Sequence, residues 1–426
     1  MAKRSLKKIC TTDGISEYRL DNGLRVLHKR DTSAPVVAIC VTYHVGSCNE
    51  AKEHTGSTHI LEHLMFKDSK NFNHKNGKAI TDYLETFGAR VNASTWVDRT
   101  NYYELVPKEK TGEAVALEAD RMRNSLFNTK DLASEMTVVR NEYEQSRNNP
   151  FAMLDEAVTE TAFTTHPYRI PTIGTKEDIE HSTVKKLREF YDTYYWPNNA
   201  TLSIVGDISW KEAEALVLKY FGKIPSSPQA IPQMTTTEPE QEKARAVSLK
   251  KPIGFEIVMT AHKTPAATHP DFPALILLAT ILGGGFSSRL RRTLVDTGLA
   301  ADIDINAHAF HDPFLMVVTA HVVDSVKPGK VLAAIRKEIV RATKTAPTKQ
   351  ELARAVEGIV SSSARERDGV LSETRALSES IAAGDWMLMY RLEKEIQKLK
   401  PSDLLRVART YLKPTAETSG VFHNTN

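Results

Sequence analysis

Two histidines four residues apart with a glutamate between them, His59-Ile60-Leu61-Glu62-His63, constrain this chain more than any other stretch. On a helix, residues i and i+4 lie above one another, so His59 and His63 can direct both imidazoles toward one ion. Glu62 directly precedes His63 and leans toward the same point. Zinc accepts imidazole and carboxylate ligands and, in catalytic sites, keeps a fourth position for water. His-x-x-Glu-His reverses the commoner zinc-protease order and is itself a catalytic zinc motif. The spacing predicts a helix carrying two metal ligands, His59 and His63, and one proton-handling carboxylate, Glu62.

Around the motif the hydrophobic period alternates between strand and helix. Runs at 17–20, 25–28 and 36–43 read as extended, the last rich in β-branched residues, and Asp21-Asn22-Gly23-Leu24 reads as a turn between the first two. Gly56 with Ser57-Thr58 offers a start and a cap for the motif helix. Helical spacing follows over 79–87, then strands over 90–95 and 101–106, then long helices over 110–124 and 129–148. A helix over 184–195 and a strand over 202–206 complete the first half. Residues 224–244 are rich in Pro, Thr, Gln and Glu without a hydrophobic period, the composition of a linker. Beyond it the pattern restarts: strand over 254–261, helix over 272–282, Gly283-Gly284-Gly285, another helix, strands over 300–308 and 315–323, then long helices. The expected architecture is α+β, with two structurally similar halves, each a mixed, mainly antiparallel sheet packed with helices. The expected ranges are 1–228 for a metal-binding catalytic half, 229–244 for the linker and 245–426 for a related half lacking the metal motif.

A chain of 426 residues is long enough for two proper cores. Its net charge of +3 is too small to imply a nucleic-acid partner. Cys10, Cys40 and Cys48 are few, odd in number and not spaced as a metal knuckle, so they read as free thiols. The basic start, Met1 to Lys8, is not followed by the apolar core of a signal peptide. The longest apolar stretch, 272–282, is broken by Pro273 and too short to span a bilayer. The expectation is a cytoplasmic chain without a membrane span.

The motif has company. Gly56-Ser57-Thr58 precedes it and Leu64-Met65-Phe66-Lys67 follows it. Further on come Phe87-Gly88-Ala89-Arg90-Val91-Asn92-Ala93-Ser94-Thr95 and Thr100-Asn101-Tyr102-Tyr103. Then come Val138-Val139-Arg140-Asn141-Glu142-Tyr143, His166-Pro167-Tyr168, Trp196-Pro197-Asn198-Asn199 and Val205-Gly206-Asp207. In this order they resemble the inverted-motif zinc peptidases that include pitrilysin, insulin-degrading enzyme and the mitochondrial processing peptidase. The resemblance implies a duplicated fold, hydrolysis of peptides or unfolded segments, and one zinc ion per chain. It implies Glu142 as the third ligand beside His59 and His63, and Glu135 as a carboxylate close behind the metal. These two glutamates lie seven apart, two turns along one helical face, and Glu144 falls off that face. Glu62 is then the general base. Asn92, Ala93 and Ser94 would lie on an edge strand along which an extended substrate pairs through its main chain.

The second half departs from that pattern. Relatives with a complete site carry an Arg and, after it, a Tyr near Gly-Leu-Ala, the Tyr helping to hold the substrate carbonyl. Aligning on Gly298-Leu299-Ala300 puts Val295 and Ala301 at those positions, and no tyrosine occurs between Arg292 and Met389. The expected partner is therefore a related subunit that supplies the Arg/Tyr pair in a heterodimer, with a homodimer as the alternative. A non-catalytic structural or assembly subunit is the rival reading; loss of a ligand or of Glu62 would favour it, and all four positions are intact. Gly283 to Ser288 lacks the Gly-Lys-Ser/Thr ending of a phosphate loop. His54, His74, His166, His262, His308, His311 and His321 are scattered without ligand spacing.

Overall fold

Seven of the eight residues of Val36–Tyr43 are buried, and β-branched side chains dominate it, which suits a strand covered on both faces. In the computed structural model, which describes residues 5–425, this strand lies inside the first of two sheets. Met1 to Arg4, the first part of the basic start, lie outside the described residues. The sheet's strands are β1 (Leu6–Thr12), β2 (Ile15–Leu20), β3 (Arg25–Arg30), β4 (Val36–Tyr43), β5 (Arg90–Thr95), β6 (Thr100–Pro107) and β7 (Ala200–Gly206). Their order is β1-β2-β3-β7-β4-β6-β5. Only β3 and β7 pair in parallel, and β5 ends the sheet, paired with β6 alone. The second sheet orders β10 (Ala300–Ala307), β11 (Phe314–Val322), β9 (Glu256–Thr264), β12 (Glu417–Asn424) and β8 (Arg245–Lys251), with β12 and β8 parallel. Two similar halves, each a mixed sheet with helices, is the architecture expected from the sequence.

The packing units are discontinuous along the chain. One gathers Met1–Tyr143, Ile170–Thr235 and Glu366–Met387; the other gathers Glu144–Arg169, Thr236–Arg365 and Leu388–Asn426. The contiguous ranges 1–228, 229–244 and 245–426 therefore differ from the units that pack. The reason is that each sheet has two faces to cover, and one cover comes from the other half of the sequence. On the first sheet the Val370–Ala382 helix packs against β4 and β7. The face it meets is small and polar: the Thr42 hydroxyl donates to Ser378 Oγ at 2.9 Å, Asn101 donates to the same oxygen at 2.7 Å, and Lys29 pairs with Glu373 at 2.6 Å. On the second sheet the Pro150–Ala162 helix packs against β12 and β9. Gly420 permits that approach, since a Cβ there would collide with Val158.

Residues 225–244 contain no helix or strand, and part of the stretch is pinned. The Glu238 carboxylate accepts the main-chain N–H groups of Thr164, Thr165 and His166 and pairs with Lys263 at 3.0 Å. Burial would raise this carboxyl, but those three N–H donors and Lys263 hold it well below the usual range. Among the described residues no helix is long and apolar enough to cross a membrane.

The first core hides a charge imbalance. Arg121 is fully buried, with Glu104 at 2.7 Å and Glu118 also in contact, both likewise buried. The guanidinium lies over the Tyr102 ring at 4.4 Å. One cation cannot neutralise two carboxylates in a medium this poorly solvating. Burial pushes Glu104 up, to about 7, against the pull of Arg121. The unfolded chain releases this proton near the ordinary glutamate value of about 4.3, so the folded chain binds more protons in between. Stability should therefore fall as pH rises from about 5 to 7. Glu104→Gln should flatten that slope in melting temperature against pH, and an unchanged slope would place the proton elsewhere.

Candidate metal centre

The motif helix spans Ser57–Leu64. Ile60, Leu61 and Leu64 are fully buried in the first core, each worth about 1.5–3 kcal/mol of apolar burial. That apolar stripe fixes the helix's roll and leaves His59, Glu62 and His63 half-buried on the remaining surface. The start of the helix is set by backbone and by a distant carboxylate. Gly56 adopts φ 84°, and a Cβ on it would stand 2.6 Å from the Ile173 carbonyl oxygen. Gly174 approaches from the other side with φ 87°, where a Cβ would meet Gly56 N at 2.6 Å. Ser57 and Thr58, expected as the cap, do not cap: the Ser57 hydroxyl donates to His54 O. Glu50 takes that role, accepting Gly56 N–H at 2.8 Å and Thr58 N–H at 2.7 Å. It satisfies donors that a helix start leaves open, at the positive end of the helix dipole. Burial pushes its carboxyl up to about 7 despite those donors.

The Thr129–Ser146 helix brings Glu135 and Glu142 to the imidazoles. The two Nε2 atoms of His59 and His63 are 3.3 Å apart. Glu142 Oε2 is 3.4 Å from His59 Nε2 and 3.6 Å from His63 Nε2. A tetrahedral zinc with bonds of about 2.0–2.1 Å keeps its ligands about 3.3–3.5 Å apart. The triangle of donors therefore fits that ion, and it is the one such group among the described residues. Glu144 is exposed and outside it. Glu135 Oε2 faces His63 Nδ1 at 3.1 Å, so that nitrogen donates and Nε2 keeps its lone pair for the ion. His59 Nδ1 is buried without a hydrogen-bond partner. Burial lowers His59 to about 4, with His63 adding to the effect, so this imidazole is neutral and able to bind metal near pH 7.

Glu62 is no member of the triangle. Burial raises its carboxyl, opposed by the nearby Thr95 hydroxyl, by His63 and by the Arg99 guanidinium. A carboxylate held less acidic than usual is a better proton acceptor.

Asn92, Ala93 and Ser94 lie on β5, which contacts the motif helix and ends the sheet. Trp96 N–H reaches Arg99 O at 2.9 Å, closing the turn to β6. Antiparallel pairing alternates, so Ala93 and Thr95 turn their main-chain groups away from β6 and Ser94 turns toward it. The Asn92 side chain accepts the Ala93 N–H at 2.9 Å. Arg99, buried, holds the end of this strand: it donates to Ser94 O at 2.7 Å and pairs with Glu379 of the Val370–Ala382 helix at 2.5 Å. Sequence reasoning missed Glu50, Arg99 and Glu379. Nothing local marks them, because each acts on a segment it does not belong to. Val295 is partly buried against the second core and Ala301 is exposed on β10; neither side chain carries a donor.

Residues 25–176 match the family described as Insulinase (Peptidase family M16), and residues 181–359 match the one described as Peptidase M16 inactive domain. The zinc protease PqqE of Helicobacter pylori is 31% identical over 409 residues, covering 94% of this chain and 90% of that protein. The crystal structure of a protease from Helicobacter pylori superposes with a TM-score of 0.90 at 28% identity, covering 99% of this chain and all of the other. Pitrilysin superposes at 0.82 and 18% identity over 99% of this chain and 47% of its own, a likeness of fold.

Proposed function

Because this chain belongs to the insulinase (M16) family of peptidases, we propose that it is a zinc-dependent endopeptidase subunit acting on peptides or unfolded segments. The observation that carries this reading is the triangle of His59 Nε2, His63 Nε2 and Glu142 Oε2, with sides of 3.3, 3.4 and 3.6 Å. Zinc bound there supplies a Lewis acid and lowers the pKa of water to about 7. Glu62 takes a proton from the attacking water and returns it to the leaving amine. An extended peptide lies along β5, using the outward main-chain groups of Ala93 and Thr95 once the Asn92 side chain releases the Ala93 N–H.

The site is incomplete in one respect. Val295 and Ala301 offer no donor to a substrate carbonyl, and losing such a donor costs about 3–4 kcal/mol of transition-state stabilisation. This supports a second, related subunit that contributes an Arg and a Tyr. Purified alone, the chain should carry about one zinc ion and cleave peptides weakly, and a partner with the pair should raise turnover about 100-fold or more. His59→Ala and Glu142→Ala should each lose the metal, read by elemental analysis. Zinc content that ignores both substitutions would overturn the ligand set. Strong cleavage by the chain alone would overturn the partner requirement.

A further inference from the structure

The two imidazoles of the metal triangle are not held alike. His63 has a carboxylate on its outer nitrogen, whereas His59 Nδ1 has no hydrogen-bond partner. The carboxylate in turn has its second oxygen occupied: Lys67 Nζ lies 2.6 Å from Glu135 Oε1. Lys67 follows His63 by four residues, just beyond the helix end, where Lys67 N–H still reaches the Leu64 carbonyl at 3.1 Å. The chain therefore returns Lys67 to the side from which Glu135 approaches.

Resting on the metal reading above, we propose that Lys67 is a positioning residue of the metal centre, acting through Glu135 on His63. A carboxylate has two oxygens and can rotate. With Oε1 tied to the ammonium, Oε2 is left to face His63 Nδ1. That fixes the ring's tautomer and aims Nε2 at the ion. Glu135 is nearly buried, with a side chain 9% exposed, while Lys67 is 33% exposed. The lysine is thus reachable by substitution with little disturbance of packing. Carboxylates behind metal-bound histidines are worth about 10–100-fold in metal affinity; a residue one contact further out should sit at the lower edge of that range.

The test is a double-mutant cycle read as zinc dissociation constant, by competition with a chromogenic chelator, on the full chain. Lys67→Met should weaken zinc about 10-fold, and Lys67→Arg should restore most of the loss because its guanidinium also donates to a carboxylate. In a Glu135→Ala background, Lys67→Met should add no further loss, which a merely structural role would not reproduce. Unaltered zinc affinity in Lys67→Met, or an equal loss with and without Glu135, would overturn the proposal while leaving the metal site standing. Wild-type chain that takes up no zinc would instead overturn the metal reading, and this proposal with it.

Discussion

Glu62→Gln should leave zinc content unchanged and lower peptide turnover by about 10²–10⁴-fold, the usual worth of a positioned general base. The substitution keeps shape and hydrogen-bonding capacity and removes only the ability to accept and return a proton. Metal content should hold because Glu62 lies outside the triangle of donors formed by His59, His63 and Glu142. The fold should hold too, since the helix is anchored through Ile60, Leu61 and Leu64 on its other face. The loss should appear in kcat and in kcat/KM together, as expected for a group that matters in the transition state rather than in substrate binding. The contrast with Glu142→Ala is the useful one: that variant should lose metal and activity together. Turnover near the wild-type level in Glu62→Gln would remove Glu62 from the mechanism. Loss of zinc from it would show that the carboxylate helps to hold the ion.

Arg121→Met should be among the most destabilising single changes outside the backbone glycines. Arg121 is the largest fully buried side chain, in contact with Glu104 and Glu118, neither of them exposed. Removing the cation leaves two buried carboxylates without a counter-charge. Breaking a buried pair from one side costs about 3–5 kcal/mol, which at about 2–4 °C per kcal/mol for a unit of this size lowers the melting temperature by roughly 10 °C. The loss should grow with pH, because protonation relieves the unpaired carboxylates. Adding Glu104→Gln and Glu118→Gln to Arg121→Met should recover much of it, since the penalty comes from unpaired charge and not from lost volume. A melting temperature within a degree or two of wild type in Arg121→Met would mean that water reaches this cluster and screens it.

Much of the site was legible before any coordinates. The i, i+4 histidines and Glu62 follow from helical geometry, and β4 announced itself by its β-branched run. Glu142 and Glu135 lie on one helical face, and the structure brings both to the imidazoles. The edge position of β5 also matches. The Pro150–Ala162 helix was missed although its signal was present: Asn149 caps it, accepting Phe151 N–H at 3.0 Å, Pro150 stands at its first position, and Leu154, Val158 and Ala162 recur every four residues on its buried side. The Glu50 cap is different. A carboxylate seven residues before the helix start has no motif, and Ser57-Thr58 gave a false one.

The five residues His59 to His63 determined, by themselves, that two imidazoles stand one helical turn apart with a carboxylate beside them, because helical spacing is a local property. Tertiary structure alone decided that Glu142 closes the triangle, that Glu50 rather than Ser57 starts the helix, and that each sheet is covered by a helix from the other half of the sequence. Those outcomes depend on burial and pairing between residues tens to hundreds of positions apart. Their energies exist only once the chain has folded.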